Sequence, residues 1–553
     1  MTRPTGTDEG SEADRMHGIT ATSAPGDATR RYLAAMRDRG PLSVDWANAP
    51  TRHKRYPGAE RVVLPWATRD DTALGLVGEL LRELLGMARV VWFHPMDDLG
   101  DPLREPPMFL LGRPAPSGGG LYPIEAYVAA GERRVPGLPA ALYHYDPVHH
   151  ALERVREGDH APALAGLFAD APDPDVTLVL SAVFWRSMFK YGDFGYRLMC
   201  QETGVLIAQA LAVAGRLRVT GRAHLRFPDE EVDRLLGLDG AREAAMAVLT
   251  FTLPRARDSL VSREVPRTPG CGSTRRPATR EALGEAARES MPLPLPMPDG
   301  PAAALHRTST AGGAASSSSS TRLRPAPPPG IGPAIPVPEP EPGVCLATGV
   351  PRRASPPAGY RPVPLRAGEL GAILAAAGGG YPADLPGAGT GLAATALCLL
   401  ALRVHGLPRG AYWYDHDRRV LHEAAGQDPV PAVTAGRLLG NTRAALRGAA
   451  AVLVPVGDPL AGAGLFGDRW YRLQQAEAGL AAQRAALAAA ALGLAARIHS
   501  DGANDTTDEV LGIAGTPLRS LSFLAMGTPL TSGPLVARGI PAGSHEEVRP
   551  PTG

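Results

Sequence analysis

The sequence has few cysteines, almost no lysine and no excess of charge of either sign. Four cysteines are spread over 553 residues, and no two of them form a CxxC pair. This spacing argues against a disulfide framework and against a zinc site, and it fits a reducing cytosol. The net charge is only +1, which gives no electrostatic reason to expect nucleic acid or an anionic membrane as a partner. We therefore predict no metal site and no nucleic-acid binding.

Long apolar runs are also absent. The longest, at 392–402 and 485–496, are shorter than the ~20 residues that a membrane helix needs. The N-terminal stretch is polar and has no apolar signal-peptide core, so we expect no membrane contact and a cytoplasmic protein. At 553 residues the chain is too long for one hydrophobic core, which predicts two or three domains.

Three stretches lack the periodicity of folded segments. Residues 1–28 and 536–553 are predicted to be disordered tails. The segment 255–358 contains an unbroken run of serines and many prolines, a composition typical of a disordered linker. The two remaining regions, 29–254 and 359–535, are predicted to fold.

The two predicted domains look like copies of each other. Three blocks match at offsets of 269, 275 and 275 residues: 137–146 with 406–415, 196–204 with 471–479, and 236–238 with 511–513. A near-constant offset over separated blocks predicts a tandem duplication. In each copy a β-branched, apolar run (176–183 and 451–456) precedes a long helical pattern. Strand, long helix and further short strands indicate an α+β domain.

The first candidate site is the segment PSGGGLYP, from Pro116 to Pro123. Three glycines let the backbone approach a flat or phosphorylated ligand closely. Ser117 adds a hydroxyl group, and Arg113 lies just ahead of the segment. A plain glycine-rich turn before a strand explains the same residues. Neither GxxxxGK nor GxGxxG is present, which excludes a Walker loop and the dinucleotide-binding fingerprint.

The second candidate site is FWRSMFKYG, residues 184–192, which places Lys190 beside Tyr191 among aromatic residues. Desolvation there would lower the pKa of the lysine, so that it can act as a base near neutral pH. The tyrosine can donate or accept a proton. A surface lysine lying over aromatic rings fits the pattern as well. Because Lys54 is the only other lysine in an arginine-rich chain, we favour the functional interpretation.

Other residues with chemical potential receive structural interpretations. His144, His149 and His150 flank the turn signal Asp146-Pro147, which predicts surface histidines of a hairpin rather than a metal site. Cys200 lies on the predicted long helix without a resolving cysteine nearby and is predicted to be a buried thiol. No GxSxG element occurs, so serine hydrolase chemistry has no support.

The strings PSGGGLYP, LYHYDP and AVFWRSMFKYG together resemble the SagB-type peptide dehydrogenases of the FMN-dependent nitroreductase superfamily. The resemblance is strong over 105–250 and weak over 359–535. It implies a nitroreductase-like α+β fold with FMN as the cofactor. It further implies oxidation of thiazoline or (methyl)oxazoline rings to azoles in a ribosomally made precursor peptide, alongside a cyclodehydratase complex.

The resemblance also implies roles for individual residues. Lys190 and Tyr191 match the catalytic pair of the family, and Ser117, Gly118 and Gly119 match its FMN-contacting loop. The flavin must carry the two electrons, and oxygen is expected to reoxidise it. The Arg-Arg-Ser-x-Arg element that contacts the FMN phosphate in the superfamily is not found near the start of the first copy. The arginines considered for cofactor binding are Arg113, Arg218 and Arg222, with Arg52, Arg55 and Arg61 as looser candidates.

The second copy departs from the family pattern at both candidate sites. Residues 389–394 replace the flavin loop, and Leu465 and Phe466 stand at the positions of Lys190 and Tyr191. Nitroreductases are homodimers with FMN at the subunit interface. The resemblance therefore implies that the degenerate copy completes the site in an intramolecular pseudo-dimer with one FMN per chain.

Two other functions stay open. A nitroreductase-like flavoprotein that reduces quinones or nitroaromatics would consume NAD(P)H without any peptide. A non-catalytic scaffold that presents precursor peptide to a cyclodehydratase fits the degenerate second copy, but the intact Phe-Lys-Tyr-Gly sequence of the first copy argues against it.

Overall fold

A computed structural model gives the architecture of the chain. It describes residues 24–37, 39–40, 43–66, 72–93, 104, 106, 108–168, 173–254, 288–310, 323–326, 333–340, 344–356, 359–425, 428–436, 438–530 and 536–539. The predicted tails over 1–23 and 540–553, and the predicted linker over 255–287, 311–322 and its shorter gaps, lie outside the described residues.

The first copy is built on an antiparallel sheet with helices packed against it. Its elements are α1 (Asp27–Arg37), β1 (Arg61–Val63), α2 (Ala73–Leu85), β2 (Arg89–Phe93), β3 (Met108–Gly112), β4 (Ile124–Ala130), β5 (Ala141–Asp146), β6 (Ala151–Glu157), α3 (Ala161–Ala165), β7 (Val176–Val183), α4 (Phe184–Tyr191), α5 (Phe194–Arg216), β8 (Thr220–His224), α6 (Asp229–Leu236) and β9 (Glu243–Thr252). The strand order is β1-β6-β5-β4-β7-β9-β8. Strand β7 coincides with the predicted apolar run, and every residue in it is buried.

The connecting region and the second copy follow. Their elements are α7 (Pro301–Thr310), β10 (Ile335–Pro336), α8 (Leu346–Gly349), β11 (Tyr360–Arg361), α9 (Ala367–Gly378), β12 (Ala396–Ala401), β13 (Gly410–Asp415), β14 (Val420–Ala425), α10 (Pro429–Ala435), α11 (Gly440–Gly448), β15 (Ala451–Gly457), α12 (Ala463–Phe466), α13 (Arg469–Ala491), β16 (Ala495–Ile498), α14 (Asp505–Val510), β17 (Arg519–Ser520), β18 (Leu524–Pro529) and β19 (Val536–Gly539). The second sheet runs β10-β14-β13-β12-β15-β18, and β16 pairs with β18 as β8 pairs with β9.

The shared topology confirms the predicted duplication. The long helices α5 and α13 both contain 23 residues and lie 275 positions apart. The glycine that precedes each of them has the same left-handed backbone, with φ/ψ of 53°/−144° at Gly192 and 57°/−146° at Gly467. Each copy is therefore one α+β domain, as the pattern predicted.

The two copies pack against each other along α5 and α13. A β-carbon at Gly204 would lie 1.7 Å from the carbonyl oxygen of Ala476, and one at Gly479 would lie 1.9 Å from that of Gln201. Ala476 is the counterpart of Gln201 at the offset of 275, so the crossing has pseudo-two-fold symmetry. Helix α5 has the length and apolar composition of a membrane helix, but 83% of its most apolar stretch is buried within the protein.

The predicted linker and C-terminal tail are wrong where the structure describes them. Helix α7 packs against α1 and α13, with Leu305 and His306 buried. Its apolar residues recur at helical spacing, a signal that the surrounding proline and serine obscured. Likewise β19, from the predicted C-terminal tail, pairs with β2 of the first copy.

The histidine prediction is wrong for two of three residues. His144 and His150 are fully buried, whereas the side chain of His149 is exposed. The hairpin turn was placed correctly, but β5 is buried along its whole length. Cys200 is a buried thiol as predicted, and burial raises its pKa to about 12. Among the described residues no group of three His, Cys, Asp or Glu side chains could hold a metal ion.

Candidate functional site

The glycine-rich loop forms a tight turn immediately before β4. Gly119 and Gly120 have φ of +62° and +67°, a left-handed backbone that side-chain-bearing residues rarely adopt. The Ser117 hydroxyl accepts a hydrogen bond from the backbone N–H of Tyr122 at 2.8 Å and donates one to Glu202 Oε2 at 2.8 Å. Ser117 therefore ties the loop both to itself and to helix α5.

The two predicted motifs meet at Gly119. Lys190 and Tyr191 are the last residues of α4. A β-carbon at Gly119 would lie 2.4 Å from Tyr191 Oη and 3.2 Å from Lys190 Nζ. The structure thus brings Ser117, Gly119 and the Lys-Tyr pair together. Gly118 is on the same turn, where its backbone N–H donates a long hydrogen bond of 3.4 Å to Glu202.

The electrostatic setting suits proton transfer at the Lys-Tyr pair. Burial lowers the pKa of Lys190 from its ordinary value, which increases the fraction of neutral amine near pH 7. Burial, together with the nearby carboxylate of Glu202, raises the pKa of Tyr191, so its phenol stays protonated. The pKa of Glu202 itself is raised to about 7 by burial, against hydrogen bonds from Ser117 and Gly118 that lower it.

Arg113 is an unpaired buried cation beside the loop. Its side chain is buried, and none of its three guanidinium nitrogens has a hydrogen-bond partner among the described residues. The guanidinium carbon lies 4.9 Å from the ring centroid of Tyr122, and burial lowers the pKa of Arg113. Because unsatisfied buried donors are costly, such a group indicates a place for an acceptor of a ligand.

A second buried arginine reaches the loop from the connecting segment just ahead of the second copy. Arg353 Nε donates to the carbonyl oxygen of Pro114 at 2.9 Å, and Arg89 Nη2 donates to the carbonyl oxygen of Arg353 at 2.8 Å. Burial and the nearby charge of Arg89 lower the pKa of Arg353 to about 9. Arg353 was not predicted from the sequence because the element that contacts the FMN phosphate was expected near the start of the first copy. The signal was the string Arg-Arg-Ala-Ser at 352–355, just ahead of the second copy.

The structure does not bring Arg218 and Arg222 to the loop. Arg218 is exposed in a turn. Arg222 is on β8, three strands away from β4, and the backbone N–H of the next residue, Ala223, donates to Pro382 of the second copy at 2.9 Å. The counterpart of Arg222 at the offset of 275 is Arg497, whose charge acts on the pKa of Tyr191. The pseudo-two-fold axis therefore exchanges the two arginines, a relationship that one copy alone cannot reveal. Arg52, Arg55 and Arg61 are not connected to the loop by the described contacts either, and Arg61 pairs with Glu153.

The corresponding place in the second copy is filled by protein groups. Glu477, the counterpart of Glu202, accepts four hydrogen bonds of 2.6–2.9 Å, from the Tyr381 and Thr395 hydroxyls and from the Ala393 and Ala394 backbone. At the position of Tyr191 is Phe466, which lacks a titratable group and stacks on Trp470. This copy therefore has no counterpart of the Lys190–Tyr191 pair, whose positions are occupied by Leu465 and Phe466.

Comparisons with known proteins match a family model to the second copy, where the resemblance carried by the motifs is weak. Residues 359–528 match the Nitroreductase family. The chain is 31% identical over 145 residues to the Microcin B17-processing protein McbC of Escherichia coli, and 30% identical over 144 residues to the Trifolitoxin-processing protein TfxB of Rhizobium leguminosarum bv. trifolii. Each match covers 25% of this chain, and only 53% and 38% of the respective relative. A solved structure from Anabaena variabilis, described as a nitroreductase, aligns with a TM-score of 0.69 at 25% identity over 92% of this chain and 100% of that one.

Proposed function

We propose that this chain is a SagB-type member of the nitroreductase superfamily, an FMN-dependent dehydrogenase that oxidises thiazoline or (methyl)oxazoline rings of a precursor peptide to azoles. The observation that carries the proposal is the contact of the glycine-rich loop with Lys190 Nζ and Tyr191 Oη at Gly119. An FMN-contacting loop beside a base suits a dehydrogenation, in which one substrate loses both a hydride and a proton.

The residues present fit a bound FMN. Ser117, Gly118 and Gly119 match the FMN-contacting loop of the family and would hold the cofactor through their backbone. Arg113 offers buried N–H donors without partners among the described residues, which suit flavin oxygens. Arg353, with the neighbouring Arg352 and Ser355, would hold the phosphate, in place of the Arg-Arg-Ser-x-Arg element expected in the first copy.

FMN when bound accepts the hydride, which no protein side chain here can do. Aromatisation of an azoline removes two electrons and two protons, as a hydride and one proton. The neutral amine of Lys190 takes the proton from the ring, and burial, which lowers the pKa of Lys190, keeps part of the amine in that form. The protonated phenol of Tyr191 donates a hydrogen bond that orients the substrate or the lysine. With FMN bound, oxygen would serve as the final acceptor of the two electrons.

The second copy completes the site instead of forming its own. Leu465 and Phe466 cannot transfer protons, and Glu477 is already saturated with donors. Arg497 from this copy lies near Tyr191, and Arg353 from the segment just ahead of this copy lies near the loop. We therefore expect one FMN per chain.

The names of McbC and TfxB as processing proteins of microcin B17 and trifolitoxin support a peptide substrate. We extend this to a cyclodehydratase complex as the source of the azoline and to a cytoplasmic setting. A nitroreductase-type reaction with NAD(P)H and a small acceptor is the alternative that the fold also supports.

The test combines an absorbance spectrum with a peptide assay. The purified chain should release FMN in a ratio of one per chain and should convert a synthetic azoline peptide to a product lighter by two hydrogens per ring, with consumption of oxygen. A colourless protein that does not take up FMN would refute the enzyme. Rapid NAD(P)H consumption without peptide, together with an unchanged azoline peptide, would establish the alternative.

A further inference from the structure

A buried polar network crosses the interior of the first copy next to the site. The guanidinium of Arg186 donates to Glu125 Oε1 at 2.5 Å. The two ring nitrogens of His144 lie 3.4 Å from Glu125 Oε2 and 3.1 Å from Glu153 Oε2. All four side chains are buried. Burial works against these charges, but Arg186 holds the pKa of Glu125 well below its ordinary value, and the two carboxylates raise that of His144.

Arg186 connects this network to the residues proposed for catalysis. The same Nη1 that binds Glu125 also donates to the carbonyl oxygen of Tyr122, at 2.9 Å. Tyr122 ends the glycine-rich loop, and its backbone N–H is bonded to Ser117. Arg186 and Lys190 are four residues apart on α4, so they lie on one face of that helix. One side chain thus joins the helix that carries Lys190 to the loop that it faces.

A second set of buried polar groups lies beside the first. Lys54 is paired with Glu243 and bonded to the Tyr127 hydroxyl. Glu243 also accepts from Ser181 at 2.6 Å. The Tyr127 ring centroid lies 5.5 Å from that of His144. Both lysines of the chain therefore lie in this region: Lys54 in the second set of buried polar groups and Lys190 at the candidate site.

The second copy shows what the same fold does without these groups. Glu125 faces Ser181 across β4 and β7, as Ala396 faces Val456 across β12 and β15. The equivalent positions carry Ala396 for Glu125, Cys398 for Tyr127, Trp413 for His144, Val456 for Ser181, Ala461 for Arg186 and Leu518 for Glu243. Ala396, Cys398, Trp413 and Val456 are buried in one apolar cluster. Of the network only Glu153 has a polar counterpart, His422.

This contrast separates a structural role from a functional one. Removing charges from water is costly, and a buried ion pair is often replaced by apolar residues without loss of stability. The copy that lacks the Lys-Tyr pair has made that replacement and keeps the same strand order. Asp233 behaves differently. It accepts a hydrogen bond from the Ala245 N–H at 2.7 Å, and its counterpart Asp508 accepts one from the Ser520 N–H at 2.8 Å. A group that the fold itself requires is expected to be kept in both copies in this way.

We propose that Glu125, His144 and Arg186 are positioning residues, which hold the Lys190 end of α4 against the glycine-rich loop and are dispensable for the fold. The proposal rests on the proposed function only for the role of Lys190 as a base. The placement of the amine can be measured without flavin or peptide.

Lysine scarcity makes that measurement specific. Lys54 is buried and ion-paired, so acylation of the native chain with an amine reagent, read by mass spectrometry, reports on Lys190 apart from the N-terminus. The rate against pH gives the pKa of Lys190. The double variant Glu125→Ala/Arg186→Ala has alanine at both positions, as the second copy does. In this variant the midpoint of the acylation rate against pH should move upward, toward the pKa of an exposed lysine. The kcat for azoline oxidation should fall about tenfold or more, with FMN affinity within about threefold.

Asp233→Asn is the matched control, since it alters a buried polar group that both copies share. It should leave the pKa of Lys190 unchanged, because Asp233 is on α6 and bonds to the backbone of β9. Three outcomes would overturn the proposal: a double variant that does not fold, a double variant with the wild-type acylation profile, or an equal shift in Asp233→Asn. Absence of azoline oxidation in the wild-type chain would refute the proposed function but not this one, because the acylation profile would still report the position of Lys190.

Discussion

Gly119 lies directly against the hydroxyl group of Tyr191, with room for a hydrogen atom but not for a methyl group. A β-carbon there would stand 2.4 Å from Tyr191 Oη, whereas nothing lies within 4 Å of one at Gly120. Both glycines have a left-handed backbone. Alanine at either position therefore adds comparable backbone strain, and only Gly119→Ala adds a clash with Tyr191 and Lys190.

This pair of glycines gives a matched test of the site. We expect Gly119→Ala to lower kcat for azoline oxidation about tenfold or more beyond the loss in Gly120→Ala, since a tenfold change corresponds to only ~1.4 kcal/mol. Steady-state kinetics with saturating FMN measure both variants. Equal losses in the two would mean that the loop does not need to touch Tyr191.

The protonation state of Lys190 should govern the rate. Because burial lowers the pKa of Lys190, the reacting neutral amine is lost as the pH falls, and kcat should decline on the acidic side with a midpoint below that of an exposed lysine. Lys190→Arg retains a cation that does not deprotonate, so it should abolish turnover and leave FMN bound. Tyr191→Phe, which removes the hydroxyl alone, is the companion variant. A Lys190→Arg enzyme that retains the wild-type rate would exclude Lys190 as the base.

Cofactor affinity should distinguish Arg353 from Arg218. If Arg353 holds the phosphate, Arg353→Ala should weaken FMN binding by ~2 kcal/mol, a charge-assisted contact, and leave riboflavin binding nearly unchanged. Arg218→Ala should affect neither ligand, since the structure leaves that residue exposed in a turn. Fluorescence titration of the flavin-free chain with both ligands gives the four dissociation constants. Equal weakening for FMN and riboflavin would remove the phosphate role.

The local pattern was enough to predict much of this molecule. Strand β7 and helix α5 were located by their apolar spacing, a signal that depends on neighbouring residues only. The offset of 275 identified the two copies because each block repeats the same local sequence. The glycine-rich loop and the segment with Lys190 were both identified as candidate sites because the two motifs occur together in a known family.

Features that depend on tertiary contacts escaped the sequence. His144 is buried because its partners, Glu125 and Glu153, come from the strands on either side of β5, and no hairpin signal contains that information. Arg353 was not predicted because it reaches the loop from the segment that was expected to be a disordered linker. A site at the interface between the copies contains residues from both of them. The offset shows that the copies are related, but it does not show which residues of one copy lie in the site of the other.

Burial of Glu202 predicts a pH dependence of stability. Its pKa is raised from 4.5 to about 7, chiefly by desolvation. Between these values the unfolded chain has released the proton and the folded chain still holds it, so the free energy of unfolding should fall as the pH rises from about 4.5 to 7. In Glu202→Gln this contribution disappears, and the variant should gain up to roughly 3 kcal/mol relative to the wild type by pH 8. Urea unfolding of both flavin-free chains at pH 5 and pH 8 measures the difference. A difference independent of pH would mean that Glu202 is ionised throughout.

The crossing of α5 and α13 should be the most sensitive point of the architecture. A β-carbon at Gly204 would overlap the Ala476 carbonyl at 1.7 Å, whereas nothing lies within 4 Å of one at Gly215 on the same helix. Gly204→Ala should therefore destabilise the chain by about 1–3 kcal/mol or more through overpacking, while Gly215→Ala should be neutral or stabilising by up to ~1 kcal/mol. Arg353 lies just after α8 and Arg497 is on β16, and both of these elements pack against α13, so Gly204→Ala should also weaken FMN binding. Thermal unfolding with an FMN titration tests both effects, and a Gly204→Ala chain with wild-type stability and affinity would show that the two copies can separate without harm to the site.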